Sequence, residues 1–322
     1  MPPTFMPRRM RSRPRNKETA RPARPLHERE LLRICGLAAV QALFHCDPGR
    51  VERLFFEPAL KSELDAACRG LARVHKPYRE AEAAELARVA GTVLHGGVVA
   101  IARPRPLADV GAAMARAWAQ DGKPLLILDG IGNPHNLGAI ARSAAFFGLT
   151  RLLLADRPDQ ALPSDAAYRV AEGGLEYLAL YRATLPAALH HLRHAYRIIG
   201  TSLAGGSAEL DPAGDRPVAL ILGNETTGLE APTLALCDEV VGIPGSGAVQ
   251  SLNVASAAAI LIYLLTRSPS GEGVDRASAI RRSRAPNSAA SISGPPSRYF
   301  NSNATASRVD NASRRGSRRI RP

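Results

Sequence analysis

Two short apolar runs constrain this chain more than anything else in it. Leu125-Leu126-Ile127-Leu128 and Val218-Ala219-Leu220-Ile221-Leu222 hold no polar residue at all. A strand with one wet face alternates apolar and polar side chains, so an unbroken run marks a strand covered on both faces, as in a parallel sheet with helices on either side. Each run leads into a glycine-containing loop, Gly130-Ile131-Gly132-Asn133-Pro134-His135-Asn136-Leu137-Gly138 in the first case and Gly223-Asn224-Glu225-Thr226-Thr227-Gly228-Leu229 in the second. A third stretch follows the same pattern. Val240, Val241 and Ile243 run into Pro244-Gly245-Ser246-Gly247, and Ser251-Leu252-Asn253 then opens a segment of Ala, Ile and Leu with helical spacing. Strand, glycine loop and helix make the corner at which open α/β sheets hold ligands, beyond the carboxyl ends of their strands.

Neither common nucleotide loop fits these corners. Gly130-x-Gly132 is followed by Asn133, Pro134 and His135, so the third glycine of a dinucleotide fingerprint is missing; Gly228 is followed by Leu229 and Glu230, where a phosphate loop needs Lys and Ser or Thr. Taken singly, the polar residues have ordinary structural uses. Ser251 and Asn253 are of the type that caps a helix, and Glu225 suits a turn cap.

Around the corners the chain alternates. Leu149–Ala155 and Tyr196–Ser202 read as strands, Pro163–Leu185 as an irregular helix and Leu185–Ala195 as another. Upstream, residues 30–103 suggest a separate small α/β unit: an amphipathic helix within 30–47, a strand at 50–56, a helix at 62–74, a short strand at 75–78, a helix at 81–90 and a strand at 96–101. Pro104 and Pro106 on one side and Asp121-Gly122-Lys123-Pro124 on the other set off a connector, 104–123, with a helix over Leu107–Gln120 that carries Trp118. The larger unit then spans 124–267.

The net charge of +13 is confined to the ends. Residues 1–25 hold eight Lys or Arg and one acid, and 268–322 hold eleven Arg and three acids, which leaves 23 basic and 25 acidic residues between them. The segments 1–29 and 268–322 are therefore expected to be disordered basic arms suited to RNA phosphates. The apolar segment Val254–Leu265 has twelve residues, short of the roughly twenty that span a bilayer, so no membrane span is expected. Cys35, Cys46, Cys68 and Cys237 show no CxxC spacing, which points to a reducing, cytoplasmic setting. His190, His191 and His194 have no cysteine or carboxylate beside them, so they read as a surface face and no metal is expected.

Taken together, the three corners are specific. Asn136-x-Gly138-x-x-x-Arg142 with Phe147-Gly148, Leu222-Gly223-x-Glu225-x-x-Gly228-Leu229, and Ile243-Pro244-x-x-Gly247-x-x-x-Ser251-Leu252-Asn253-Val254 occur in that order. The trio resembles the signature motifs of the SpoU (TrmH) family, RNA ribose 2′-O-methyltransferases of the SPOUT superfamily, over roughly residues 124–266. The unit at 30–103 looks like the substrate-binding domain that precedes the catalytic domain in many members. The resemblance implies a doubly wound parallel sheet closed by a C-terminal trefoil knot, with S-adenosylmethionine as cofactor and Gly223, Ile243 and Leu252 as the residues that contact it, Thr201 to Leu203 being weaker candidates. It implies that Arg142 takes the ribose 2′-hydroxyl proton or stabilises the alkoxide, while Asn136, Glu225, Ser251 and Asn253 orient the reactants. It also implies a homodimer acting on structured rRNA or tRNA, without metal. The alternative is an RNA-binding or ribosome-assembly protein of the same fold that has lost turnover. All matched polar positions are present, which favours the enzyme.

Overall fold

The first third of the chain builds a four-stranded sheet of its own. Residues 31–202, 210–212 and 214–267 are described in this computed structural model, so the expectations for Leu203 and for the two basic arms lie outside the described residues. The small unit runs β1 (Leu32–Cys35), α1 (Leu37–Cys46), β2 (Val51–Phe56), α2 (Lys61–Arg73), β3 (Tyr78–Glu80), α3 (Ala83–Ala90) and β4 (Val98–Ala102). Its strand order is β1-β4-β2-β3, with β4 antiparallel to both neighbours and β3 parallel to β2. Period-two alternation sorts its core. Ile34, Leu54 and Ala100 face Val40, Leu43 and Leu71 of α1 and α2, whereas Cys35 and Val99 face Leu86 and Ala90 of α3. The helix expected within 30–47 begins only at Leu37, because Gly36 turns the chain at φ 92° and Leu32-Arg33-Ile34 before it alternates as a strand.

The large unit continues with β5 (Ala108–Asp109), α4 (Ala112–Ala119), β6 (Leu125–Asp129), α5 (Pro134–Phe146), β7 (Arg151–Ala155), α6 (Asp165–Ala171) and α7 (Gly174–Tyr177). After these come β8 (Ala179–Ala183), α8 (Ala187–Leu192), β9 (Arg197–Thr201), β10 (Val218–Gly223), α9 (Ala231–Leu234), β11 (Glu239–Val241) and α10 (Val254–Thr266). Seven strands lie in the order β11-β9-β10-β6-β7-β8-β5, and every pairing is parallel. The two apolar runs form the adjacent central strands β6 and β10, buried along their whole length. Leu126, Leu128, Leu220 and Leu222 pack toward α5, α6 and α10, while Leu125, Ile127, Ala219 and Ile221 pack toward α4 and α8. The doubly wound expectation therefore holds.

Two boundaries differ from the sequence reading. The connector is not external: β5 adds an edge strand to the large sheet, and Trp118 of α4 is buried with its ring 4.5 Å from that of Tyr181. Within the helix expected over 163–185 lies strand β8. Among the described residues no helix is long and apolar enough to cross a membrane.

The two sheets are joined through α6 and α7. The carboxylate of Glu176, fully buried, accepts both oxygens' worth of hydrogen bonds from Arg50 Nη1 (3.0 and 2.8 Å) and one from Arg105 Nη2 at 2.5 Å, while Arg50 Nη2 donates to Tyr168 Oη at 3.3 Å. At the edge of β1, the Arg33 amide donates to Asp165 Oδ1 at 2.9 Å. These contacts set the small sheet against the helices that pack on α5.

Candidate active site at the carboxyl edge of the large sheet

The chain leaves β6 at the centre of the sheet, builds outward through β7 and β8, and returns to the opposite flank at β9 before inserting β10 beside β6. A crevice forms where the winding changes direction. Three loops meet there. The first enters α5 within the stretch read from sequence as a loop: Pro134 occupies the first helical position, where a missing N–H costs nothing, and Asn133 Oδ1 accepts from the His135 amide at 2.8 Å. Asn136 thus stands in the first turn of a helix.

Asn253 caps α10, its Oδ1 accepting from the Ala255 amide at 2.8 Å. Its Nδ2 donates to Asn136 Oδ1 at 3.2 Å, and Asn136 Nδ2 donates to Glu225 Oε1 at 2.8 Å. The cap reading and the site reading of Asn253 are both right. The chain of bonds has one direction, because reversing the Asn136 amide would set donor against donor and acceptor against carboxylate. One residue from each of the three motifs is held in it.

Beside this relay lies a cleft lined by Thr201, Glu225, Ser251 and the cofactor candidates Gly223, Ile243 and Leu252. It takes main chain from the ends of β9, β10 and β11 and from the segment entering α10. The glycines serve packing more than ligand approach. A Cβ on Gly223 would lie 2.5 Å from the Gly228 carbonyl carbon, and one on Gly138 would lie 2.5 Å from the Ala167 carbonyl oxygen, where α5 crosses α6. The Gly223 loop folds back on itself, and its own return strand excludes the side chain.

Arg142 is elsewhere. Six residues along α5 from Asn136, it lies roughly 240° around the axis and about 9 Å further along, on a different face. There its Nη2 pairs with Glu172 Oε2 at 2.8 Å, both side chains being about half exposed. A single chain therefore brings together Asn136, Glu225, Ser251, Asn253, Gly223, Ile243 and Leu252, and leaves Arg142 outside the cleft.

Sequence reasoning missed the residues that shape the loops. Asn224 Nδ2 donates to the Gly130 carbonyl at 2.8 Å while its Oδ1 accepts from the Thr226 and Thr227 amides, which ties the second loop to the first. An asparagine followed by Glu-Thr-Thr-Gly is a recognisable turn signal, so this one was readable. Gln160, buried, accepts from the Gly130 and Ile131 amides and donates to the Ile131 carbonyl. Behind Gly130, the hydrogen bonds that Arg157 donates to Asp159 and Asp129 push its guanidinium further above its ordinary range, so it remains a fixed cation bracing the loop. Nothing in their spacing marks either residue. Among the described residues, no group of three or more His, Cys, Asp or Glu side chains is arranged to hold a metal.

Comparison with known proteins agrees with this fold. The model of the SpoU rRNA Methylase family matches residues 123–263, and that of the RNA 2′-O ribose methyltransferase substrate binding domain matches residues 33–108. The chain is 33% identical over 238 residues to the 23S rRNA (guanosine-2′-O-)-methyltransferase RlmB of Acinetobacter baylyi, covering 71% of this chain and 94% of that one. A Burkholderia protein of the same name is also 33% identical, over 72% of this chain and 94% of its own. The fold is similar to the AdoMet-bound rRNA methyltransferase of Sinorhizobium meliloti, with a TM-score of 0.60 at 24% identity over 73% of this chain and 86% of that one. It is likewise similar to the SpoU methyltransferase AviRb of Streptomyces viridochromogenes, with a TM-score of 0.55 at 24% identity over 74% and 89%.

Proposed function

The chain belongs to the SpoU rRNA methylase family, and on that premise we propose that it transfers a methyl group from S-adenosylmethionine to the 2′-hydroxyl of a guanosine in 23S ribosomal RNA. The observation that carries this reading is the Asn253–Asn136–Glu225 relay beside a cleft lined by Gly223, Ile243 and Leu252. Small and apolar residues on converging main chain, with Thr201, Glu225 and Ser251 among them, suit a nucleoside. The bound cofactor supplies a methyl carbon on a sulfonium, open to in-line attack by oxygen. The protein's task is alignment and disposal of one proton. Asn136 and Asn253 fix the Glu225 carboxylate through Oε1, and Oε2, which accepts from no other described residue, is left for the ribose hydroxyl. Ser251 lines the same cleft.

Arg142 faces away from its own cleft, so in this reading it serves the cleft of a second copy. There the partner subunit's Arg142 holds the neighbouring phosphate and stabilises the alkoxide, with transfer of the hydroxyl proton to a neutral Arg142 guanidine as the alternative the family resemblance implies. Exposed Phe146, Ile260 and Tyr263, on α5 and α10, support a homodimer. The trefoil knot over the C-terminal segment, the RNA-binding role of the basic arms and a cytoplasmic location, consistent with free cysteines, belong to the same proposal.

The test is incubation of the full chain with labelled S-adenosylmethionine and a 23S rRNA transcript, followed by mapping of the modified nucleotide. One 2′-O-methylguanosine is expected, and Arg142→Lys should lower its rate by roughly two orders of magnitude, because lysine lacks the planar fork. Cofactor binding without transfer to any RNA would favour the silent RNA-binding protein.

A further inference from the structure

What Arg142 meets in the free chain is a carboxylate in a costly place. Glu172 ends α6 with φ 44° and ψ 44°, the left-handed conformation that glycine or asparagine ordinarily supplies because a Cβ crowds the next carbonyl there. Its one described partner is Arg142, at 2.8 Å. The following residues are wedged on both sides. A Cβ on Gly173 would lie 2.8 Å from the Ala42 Cβ of α1, and a Cβ on Gly174 would lie 2.8 Å from the Arg142 Cα. Two residues later, Glu176 is gripped by Arg50 of the small unit and Arg105 of the connector. Residues 172–176 therefore touch the substrate-binding unit on one side and Arg142 on the other.

We propose that Glu172 is a positioning residue for Arg142, holding one edge of the guanidinium so that its remaining donors point outward in a fixed orientation, in register with the substrate-binding unit. The inference rests on the reading of Arg142 as the group that faces the substrate ribose. An unpaired arginine at a helix surface samples many rotamers, all but one of which must be given up when RNA binds; the pair removes most of that loss beforehand. Backbone strain at Glu172 is the companion of this arrangement. Glycine would relax the turn and release the arginine.

That conflict supplies the test. Glu172→Gly and Glu172→Gln are made in the full chain, and melting temperature, S-adenosylmethionine affinity, kcat and RNA KM are measured, together with the order of the Arg142 side chain by ¹⁵Nε relaxation without RNA. Glu172→Gly is expected to melt at or above the wild-type temperature and to bind cofactor unchanged, while kcat falls on the order of tenfold at unaltered RNA KM. Its Arg142 Nε becomes mobile, and Glu172→Gln lies between it and the wild type. A residue with a merely structural role would lower the melting temperature instead. Wild-type or faster turnover in Glu172→Gly overturns the proposal, the faster rate meaning that the carboxylate competes with RNA for Arg142. An Arg142 equally mobile in all three proteins overturns it too, and this readout needs no catalysis. If the wild-type protein methylates no RNA while its Arg142 is ordered by Glu172, the functional reading fails and the pairing stands.

Discussion

Two polar clusters in this molecule each tie together segments far apart in sequence, and they do so in opposite ways. Around Glu176 the network is closed: the side chain is fully buried, both carboxylate oxygens are engaged by Arg50, and Arg105 adds a further bond. Around Asn136 it is open. Glu225 engages one oxygen, Asn136 uses one of its two N–H groups, and Asn253 is exposed. A saturated buried network fixes geometry, because every alternative leaves a charge unpaired. An unsaturated network at a cleft rim keeps capacity for an incoming hydroxyl. The contrast separates the part of the chain that holds the domains in register from the part that does chemistry, and each half of it can be tested by breaking one residue.

The largest expected effect lies in the closed cluster. Glu176→Gln leaves buried Arg50, and with it the partly exposed Arg105, without a counter-charge, and breaking a buried pair such as Arg50–Glu176 costs about 3–5 kcal/mol. Urea denaturation of the full chain should register that loss, with the small unit exposed to proteolysis before the large one. A cost of less than about 1 kcal/mol, the range of exposed ion pairs, would show that the cluster is no stronger than a surface contact and would dissolve the comparison.

In the open cluster the effect should move from stability to rate. Asn136→Ala removes one part-buried and one exposed hydrogen bond, so the fold should change by less than about 1 kcal/mol. Methyl transfer should fall by roughly one to two decades, the equivalent of about 1.5–3 kcal/mol, because Glu225 is no longer aimed. Paired measurements of denaturation midpoint and kcat on the same preparation check this. Were Asn136→Ala to destabilise the chain as much as Glu176→Gln while transferring methyl groups at the wild-type rate, the two clusters would have exchanged roles.

The same contrast explains what was legible in the sequence. Continuous apolar runs placed β6 and β10, since only a strand buried on both faces can be so uniform, and the ordered motifs placed Asn136, Glu225 and Asn253 beside one cleft. Strand β8 was hidden because Ala179–Ala183 alternates over only five residues after two short helices, and β1 because Leu32 and Ile34 also satisfy helical spacing with the residues that follow. Glu176 and Arg50 lie 126 positions apart, and Gln160 braces a loop about 30 positions away. Neither partnership leaves a local pattern. Arg142 was found by its motif, yet its distance from Asn136 around the helix was visible only once both residues were seen to lie in one helix that starts at Pro134. Glu172 had no signal at all, since a glutamate before two glycines reads as an ordinary solvated turn.

The smallest effect concerns how firmly the closed cluster welds the two units, and it can be read from alkaline unfolding. Burial pushes the Cys35 thiol of the small unit up to about 11, an effect partly offset by Arg169, and burial with nearby Asp238 pushes the Cys237 thiol of the large unit up to about 11. A thiol in the unfolded chain ionises near about 8.5. Between these values the unfolded state releases a proton that the folded state keeps, so the contribution is whole below the unfolded value and is lost as pH rises toward 11. Melting temperature should therefore decline from about pH 8.5 to 11, and Cys35→Ala and Cys237→Ala should each flatten the decline. If Glu176 makes the two units one cooperative body, either substitution flattens a single shared transition. Two separate transitions, each answering to only one of the substitutions, would mean that the small unit unfolds on its own and that the buried cluster couples the domains no better than the exposed one couples the motifs.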